Sequence, residues 1–250
     1  MEIFVGVCRF TSRLLNEFKT LEIQQTFYNI PARESTIRGW KEKAPKDFHW
    51  CFKVFQGITH PASSPTWRRY RKTLSEKEKS LVGDLKLNDI TMKFWEKMLL
   101  IAKILDAKVM VVQTPASFKP TNENVNNAIK TFNFVLDKLK KENIATIIGW
   151  EPRGDWLKNP QTIKTVLENC PGVIHIVDPF FHTPVELNKV AYFRLHGKPY
   201  LNYRYKYTDD DLNQLKKYVE QLSCDAVYIM FNNVYMETDS KRFQMLLGSM

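Results

Sequence analysis

The chain lacks long apolar runs. Hydrophobic residues make up 44% of its 250 residues, yet no stretch approaches the ~18 consecutive apolar residues that a membrane-spanning helix requires. The first five residues show a strand pattern without the basic leader of a secretory signal. We therefore expect a cytoplasmic protein that does not contact membranes.

Cysteine is scarce, and no two of the four cysteines have the C-x-x-C spacing. This disfavours a zinc ribbon or a dithiol redox motif. Cys8, Cys51 and Cys224 fall within or beside strand-like runs. The pattern is typical of free thiols in a protein core.

Several short catalytic motifs are also missing. The first predicted strand leads into Cys8-Arg9-Phe10 and not into G-x-G-x-x-G, the fingerprint of a dinucleotide-binding open sheet. Neither G-x-S-x-G, nor a Walker loop, nor H-E-x-x-H is present. Serine hydrolases with a nucleophile elbow, P-loop nucleotidases and zincin proteases are therefore disfavoured.

Acidic residues are outnumbered. Lys and Arg total 37 against 27 Asp and Glu, a net charge of +10. Such an excess favours an anionic small molecule or a nucleic acid as partner. A solvent-exposed, lysine-rich surface explains much of the same excess, and the sequence does not indicate an oligomeric state.

Eight strand-like segments are present. They cover residues 3–9, 20–24, 49–55, 108–113, 144–150, 173–177, 191–195 and 226–231. The run Val109-Met110-Val111-Val112 is continuously apolar, as in a strand buried on both faces.

Helical periodicity separates most of these strands. The predicted helices cover residues 32–44, 92–105, 122–142, 160–169, 209–223 and 240–247, with Thr121 and Thr208 as N-caps of two of them. Alternating strands and helices favour a parallel sheet, and eight such units in about 250 residues match a closed (β/α)8 barrel. A doubly wound open sheet is the alternative.

The predicted fold class is thus α/β, a single TIM-type barrel over residues 1–250. The segments after the first and sixth strands lack clear helical periodicity, which predicts irregular or missing helices there. Residues 56–90, after the third strand, are long, polar and basic and are predicted to be an insertion.

Polar or charged residues lie at the C-terminal end of every predicted strand. They are Arg9, Glu22, Gln24, Lys53, Gln113, Glu151, Arg153, Asp178, Arg194, His196, Asn232 and Asn233. In a barrel these ends meet at one mouth, where active sites lie. Each residue alone is better explained as a strand cap or a solvated loop residue, but the presence of one on all eight strands predicts a site.

The candidate catalytic residues are Glu22, Lys53, Glu151, His60 and His196. Carboxylates can orient cations or act as bases, and a histidine beside a carboxylate can be a general acid or base near neutral pH. Replacing Glu22, Lys53 or His196 by alanine is expected to reduce activity while changing stability by no more than about 1–2 kcal/mol.

The candidate substrate-binding residues are Arg9, Gln24, Tyr28, Gln113, Arg153, Asp178, Arg194, Tyr203, Tyr205, Asn232 and Asn233. Among them the arginines would hold an anionic group such as phosphate.

The polar side chains predicted at the mouth could instead bind a divalent metal. Glu151, Asp178, His182 and His196 offer oxygen and nitrogen ligands that suit zinc or manganese. Because no local metal-binding signature accompanies them, a metal-free ionic cluster is the favoured interpretation, and we expect no cofactor.

Two stretches mix basic and aromatic residues, at 67–72 and 200–207. Aromatic rings can stack on bases or sugars, and arginines can hold phosphates. Solvated loops whose tyrosines pack onto the barrel rim would give the same composition.

Five motifs resemble the DUF72 (YecE-like) family. Residues 21–31, LEIQQTFYNIP, resemble its V-E-I-N-x-T-F-Y-x-x-P; Phe52-Lys53-Val54 followed by Ile58-Thr59-His60 resembles F-x-x-K…I-T-H; residues 112–118, VQTPASF, resemble F-Q-L-P-P-S-F; residues 193–197, FRLHG, resemble V-R-L-H-G; and residues 227–233, VYIMFNN, resemble V-Y-V-Y-F-N-N. The motifs occur in the same order over nearly the whole chain.

The chain also departs from this pattern. Gly6-Val7-Cys8-Arg9-Phe10 stands where the family often has G-T-S-G-W, and residues 151–156, EPRGDW, replace E-F-R-H-P-x-W and lack its histidine. Gln24 replaces the common asparagine. The resemblance implies a TIM-type barrel but supplies no reaction, since the analogy to metal-dependent barrel endonucleases is one of fold.

The leading hypothesis is an enzyme that acts on a phosphorylated or nucleic-acid-like substrate at the barrel mouth, with phosphodiester hydrolysis as a reaction of that class. The alternative is a non-catalytic nucleic-acid-binding protein that uses the basic and aromatic loops. A weaker alternative is a carbohydrate-acting hydrolase with Glu22 and Glu151 as its carboxylate pair.

Overall fold

The structure is a computed structural model that describes residues 1–248. Its strands are β1 (Glu2–Val7), β2 (Thr20–Ile23), β3 (His49–Lys53), β4 (Val109–Gln113), β5 (Ile147–Glu151), β6 (Val173–His175), β7 (Val190–Leu195) and β8 (Ala226–Phe231). Its longer helices are α2 (Glu34–Glu42), α5 (Asp89–Leu105), α6 (Asn122–Lys141), α7 (Pro160–Glu168), α8 (Asp209–Glu220) and α9 (Met236–Leu247), and its short ones are α1 (Gln25–Tyr28), α3 (Gln56–Thr59) and α4 (Glu76–Leu81).

All neighbouring strands are parallel, in the order β6-β5-β4-β3-β2-β1-β8-β7. The two end strands come together through a parallel bridge between Val177 and Phe193, where the Arg194 amide donates to the Val177 carbonyl at 3.0 Å. The sheet is therefore a nearly closed barrel. The predicted α/β barrel class is confirmed.

Alternate residues of the strands form two separate apolar clusters. One contains inward-facing side chains such as Cys51, Val111 and Ile176, and the other joins the outward faces of the strands to the helices. The inner cluster is tightly filled at Gly6, where a Cβ atom would lie 2.3 Å from the Thr20 carbonyl oxygen. The period of two that places apolar residues inward also directs the polar residues at the ends of β2, β3, β4, β5 and β7 into the mouth.

Most predicted elements are confirmed, with shifted ends. Strand β8 and the caps Thr121 and Thr208 are as expected, and each threonine accepts the predicted backbone hydrogen bond. Helix α5 starts three residues earlier than predicted because Asn88 caps it and forms a capping box with Thr91. Strand β5 begins at Ile147 and not at residue 144, and α9 begins at Met236 and not at residue 240.

The irregular connections expected after the first and sixth strands are present. A single 3-10 turn (Ser12–Asn16) follows β1, and the described residues 176–189 between β6 and β7 contain no helix. Residues 56–90 are less exposed than their composition indicates. All four residues of α3 are buried, and Val82 and Leu85 join the core.

Within residues 1–248, no helix has the length and apolar character needed to cross a membrane.

Candidate active site

Arg194 is the centre of the barrel mouth. It projects from β7 and is only 1% exposed. Its Nε donates to Glu22 Oε2 at 3.0 Å, its Nη2 donates to Glu22 Oε1 at 2.9 Å, and its Nη1 donates to Glu151 Oε2. Burial opposes its charge, but the two carboxylates raise the pKa of Arg194 well above its usual range. The guanidinium is therefore fully occupied by protein groups.

Glu22, on β2, is completely buried and receives two further donors. The Tyr192 hydroxyl donates to Glu22 Oε2 at 2.8 Å, and the Gln24 side-chain amide donates to Glu22 Oε1. Tyr192 and Arg194 are two residues apart on one strand, so both point into the barrel. Glu22 is thus an internal counter-charge with no free oxygen facing solvent.

Glu151, at the end of β5, is paired with Arg153 as well as Arg194. Arg153 Nε and Nη2 donate to Glu151 Oε1 at 3.1 and 2.9 Å. Burial alone would raise the pKa of Glu151, but the charges of Arg153 and Arg194 outweigh it and hold that pKa well below its usual range. Glu151 is consequently ionised at physiological pH and unsuited to donating a proton.

His196 lies between Asp178 and Arg153. Its backbone amide donates to Asp178 Oδ2 at 2.9 Å, and Arg153 Nη2 donates to His196 Nε2 at 3.1 Å. The latter bond assigns the proton of the neutral ring to Nδ1, which is buried without a hydrogen-bond partner 3.8 Å from Asp178 Oδ2. Burial lowers the pKa of His196, so the ring is neutral at pH 7.

The position of His196 depends on the residue after it. Gly197 has φ of +86°, and a Cβ there would lie 2.0 Å from the Asn202 carbonyl oxygen. Its amide donates to the Tyr207 hydroxyl at 2.8 Å. The tyrosine-rich segment therefore packs directly against the end of β7 and helps to place the histidine.

Lys53, at the end of β3, is 7% exposed. Its Nζ donates to Gln113 Oε1 at 2.7 Å and lies 3.6 Å from the centroid of the Phe27 ring. Burial, and then the charges of Arg194 and Arg153, lower the pKa of Lys53 from its ordinary 10.5 to about 7. At neutral pH a large share of this amine is therefore uncharged.

His60 completes this side of the mouth. It is 4% exposed, packs edge-on against Phe27 and shares a 2.7 Å hydrogen bond with Thr59 Oγ1 through Nδ1. Burial, followed by the charges of Lys53 and Arg153, lowers the pKa of His60 to about 2. It is neutral throughout the physiological range.

The structure thus brings together most of the predicted site residues. Grouped at the mouth are Glu22, Gln24, Lys53, His60, Gln113, Glu151, Arg153, Asp178, Arg194 and His196. Tyr203 joins them, with its ring edge-on to His196 at 5.8 Å.

Five predicted residues lie elsewhere or have structural partners. Arg9 is exposed and pairs with Glu237 at 3.3 Å because β1 ends at Val7, two residues before it. The Tyr205 hydroxyl donates to Asp211, and the Asn233 side chain donates to Asp239. The backbone N–H of Asn232 donates to the Leu195 carbonyl. Tyr28 lines a separate groove.

Three residues that shape the site were not among the predicted site residues, although Tyr200 belongs to the basic and aromatic stretch at 200–207. The Tyr192 hydroxyl donates to Glu22, and the Phe27 ring lies against the Lys53 amine. Tyr200 lies close enough to Glu151 and Arg153 for their charges to shift its pKa. Burial, then Glu151, raises the pKa of Tyr200 to about 12. The alternation of β7 carried a signal for Tyr192, which shares the face of Arg194.

The four candidate metal ligands are not arranged as a metal site. Both oxygens of Glu151 are held by arginines, and Asp178 accepts the amides of Phe180 and His196. His182 packs edge-on against Tyr200. Across residues 1–248, no three His, Cys, Asp or Glu side chains are arranged to hold a metal ion.

A groove of about 890 Å³ lies beside the mouth, between α2, α5 and residues 69–72. Four lining residues are aromatic and four are cationic: Tyr28, Trp40, Tyr70 and Phe94, and Arg69, Arg71, Lys72 and Lys97. Asn29 braces one wall, since its side chain donates to the Arg69 carbonyl at 2.9 Å and accepts from the Arg71 amide at 2.8 Å. We call this the lateral groove.

Comparison with solved structures identifies the same architecture. A DUF72 family protein from Enterococcus faecalis is 21% identical with a TM-score of 0.68, over 98% of this chain and 95% of that chain. A DUF72 family protein from Thermotoga maritima is 21% identical with a TM-score of 0.65, over 99% and 100% of the two chains. A probable 3-DHS dehydratase from Bacillus anthracis is 9% identical with a TM-score of 0.54, over 99% of each chain.

At these identities the likenesses establish the fold and nothing finer. No curated protein matches the chain. The sequence model of the family described as "Protein of unknown function DUF72" matches residues 10–249. The chain therefore belongs to the DUF72 family, whose TIM-barrel fold it shares.

Proposed function

We propose that the chain is an enzyme that binds a phosphorylated or nucleic-acid-like substrate at the barrel mouth and acts on it by acid–base chemistry. One observation carries the proposal: Arg153 and Lys53 retain hydrogen-bonding capacity at the opening, while Arg194 beneath them is fully paired. A phosphate group offers several acceptor oxygens for such donors.

The buried ions have a positioning role in this proposal. Glu22, Arg194 and Glu151 form a continuous chain of ion pairs across the barrel, which fixes the side chain of Arg153 through Glu151. The side chain of Arg153 is 15% exposed, against 1% for Arg194, so Arg153 is the arginine that substrate can reach. Preorganised cations of this kind stabilise developing negative charge without reorganising.

His196 is the acid–base group in this proposal. Its neutral ring can accept a proton at Nε2 in place of the 3.1 Å hydrogen bond from Arg153 Nη2, while Arg153 Nε stays on Glu151, and Asp178 would then face the resulting imidazolium. Hydrolysis of a phosphodiester needs one such proton transfer to or from water or the leaving oxygen.

Binding of a phosphate ester by matched variants tests the function. Arg153→Gln removes the accessible cation of the mouth, and Arg38→Gln removes an exposed arginine of α2. We expect Arg153→Gln to weaken calorimetric binding of bis(p-nitrophenyl) phosphate at least tenfold and to slow its hydrolysis, and Arg38→Gln to change neither. Equal behaviour of the two variants would contradict a mouth site.

A specific observation supports the alternative function as well. The four cations of the lateral groove have no carboxylate within ion-pair distance among the described residues, and the Arg69 guanidinium lies 3.6 Å from the centroid of the Tyr28 ring. Unpaired cations interleaved with aromatic rings suit the backbone and bases of a single-stranded nucleic acid. We propose nucleic-acid binding by this groove as the second candidate function.

The carbohydrate hydrolase receives less support. Such an enzyme needs one carboxyl group protonated as general acid. Both candidates are ion-paired to Arg194, and Glu151 is held ionised.

A further inference from the structure

Lys53 is a buried lysine without an acidic partner. No carboxylate oxygen of the described residues lies within 4.0 Å of its Nζ. The nearby carboxylates already have other hydrogen-bond partners. Glu22 and Glu151 accept from Arg194, and Asp178 accepts from two backbone amides. The ion-pair network of the mouth therefore excludes Lys53.

Because Lys53 has no carboxylate partner, its side-chain amine can lose its proton and become nucleophilic near neutral pH. Burial, and then the neighbouring guanidinium groups of Arg194 and Arg153, oppose protonation and lower the pKa of Lys53 to about 7. An uncharged amine has a nucleophilic lone pair, which an ammonium group lacks.

The geometry also orients the amine. One N–H bond is directed at Gln113 Oε1, and Gln113 is itself fixed because its Nε2 donates to the Thr114 carbonyl at 3.2 Å. The buried ring of Phe27, which is 1% exposed, covers one side of the amine. With one hydrogen bond formed and one side covered, the lone pair is left for a group that enters the mouth.

We propose that Lys53 is a nucleophile that forms an imine with a carbonyl group of the substrate, so that the substrate is a phosphorylated aldehyde or ketone. The inference rests on the proposed function for the phosphate, which Arg153 would hold. It adds the carbonyl group and a covalent intermediate to that function.

The step balances without an oxidant or reductant. The nitrogen lone pair attacks the carbonyl carbon, the C–O π electrons move to oxygen, and a proton passes from nitrogen to that oxygen to give a carbinolamine. The hydroxyl group then leaves with a proton as water while the C=N bond forms. Hydrolysis of the imine regenerates the amine.

Pyridoxal 5′-phosphate, an aldehyde that carries a phosphate, tests the proposal with sodium borohydride as the trap. We expect a borohydride-dependent adduct that peptide mapping assigns to Lys53, formed half-maximally near pH 7. Lys53→Met should lose this adduct. The map of the unmodified protein decides the question even if the variant fails to fold: adducts spread over exposed lysines such as Lys140 and Lys164, with none at Lys53, would overturn the proposal.

Comparison with pyridoxal separates this inference from the phosphate function. If Arg153→Gln lowers the yield with pyridoxal 5′-phosphate but not with pyridoxal, both stand. If phosphate esters bind in an Arg153-dependent manner and no adduct forms at Lys53, the imine proposal is wrong and the function stands. If both aldehydes react at Lys53 independently of Arg153, the imine proposal stands and the phosphate function fails.

A phosphorylated aldehyde can be a small metabolite or an abasic site in DNA. Two further probes, glyceraldehyde 3-phosphate and a single-stranded oligonucleotide with one abasic site, distinguish these sources. Borohydride trapping at Lys53 by the first alone indicates a small substrate, and tenfold more efficient trapping by the second indicates a nucleic acid. Both results support the imine, whereas the absence of trapping at Lys53 by these two probes and by pyridoxal 5′-phosphate would overturn it.

Discussion

Arg194 and Glu22 form a two-point ion pair across the interior of the barrel, with Nε–Oε2 and Nη2–Oε1 distances of 3.0 and 2.9 Å. They are 172 positions apart in the sequence, and neither is more than 1% exposed. A buried pair of this kind contributes little net stability over an apolar pair, but losing one partner leaves an uncompensated buried charge. It therefore holds the mouth in one arrangement.

The first prediction concerns that pair. Glu22→Gln keeps the size of the side chain and removes its charge, so Arg194 would lose its best partner. We expect the free energy of unfolding in urea to fall by about 3–5 kcal/mol, more than the sequence alone suggested. Glu76→Gln, which removes an exposed carboxylate paired with Lys79, should leave stability nearly unchanged. A Glu22→Gln protein as stable as this control would contradict the assigned role.

The second prediction concerns the pH dependence of stability through Lys53. Its pKa of about 7 in the folded state lies below its ordinary 10.5, so between these values the unfolded chain binds more protons and the folded protein gains stability as pH rises. Lys53→Met lacks this dependence. Its stability relative to the unmodified protein should therefore be highest below pH 7 and decrease by up to about 1.4 kcal/mol per pH unit above it.

Urea unfolding of both proteins between pH 6 and 9.5 provides the measurement. Lys140→Met, an exposed lysine on α6, is the control and should show a constant difference over the same range. A constant difference for Lys53→Met as well would mean that this lysine keeps an ordinary pKa.

The third prediction concerns the lateral groove. Arg69→Gln combined with Lys97→Gln removes two of its unpaired cations, while Lys140→Gln combined with Lys164→Gln removes the same charge from α6 and α7. We expect the groove variant to bind a fluorescent single-stranded oligonucleotide at least tenfold more weakly, with a shallower dependence of log Kd on log salt. If both double variants lose affinity equally, only the net charge of the chain matters.

The fourth prediction concerns Asp211, which anchors the tyrosine-rich segment. Its carboxylate accepts from Lys198 Nζ at 2.6 Å, from the Tyr205 hydroxyl at 2.7 Å and from the Thr208 amide at 2.9 Å. Asp211→Asn should lower the free energy of unfolding at pH 7 by about 1–3 kcal/mol. Asp210→Asn, its exposed neighbour on α8, should have a much smaller effect.

Acid titration checks the same contacts. Burial alone would raise the pKa of Asp211, but its donors, Lys198 and Tyr205 first, lower it from 3.8 to about 2. The stabilisation is present above pH 3.8 and is lost as pH falls toward 2. The difference between the unmodified protein and Asp211→Asn should therefore shrink over that interval, and a difference that stays constant would contradict the assigned contacts.

Local patterns were sufficient for the strands and the longer helices of this fold, but not for the short helices α1, α3 and α4. Thr208 and Asp211 form the capping box that their spacing predicts, and β8 occupies the predicted residues. Apolar periodicity reports secondary structure because a strand repeats every two residues and a helix every 3.6. Patterns of this kind do not show how tightly an insertion packs, so the burial of α3 was not anticipated.

The sequence by itself determined the eight strands, the longer helices between them and the polar residues that lie near the strand ends, since local periodicity and residue type are read directly from it. Only the tertiary structure decided the roles at the mouth. Arg194 is ion-paired with Glu22 and Glu151, whereas Arg153 remains accessible to a substrate. Lys53 has no carboxylate partner, and Arg9 lies outside the mouth. The physical reason is that closing the barrel brings together charges from distant strands. Their pairing and burial then set which group is ionised, and neither is visible until all the partners are in place.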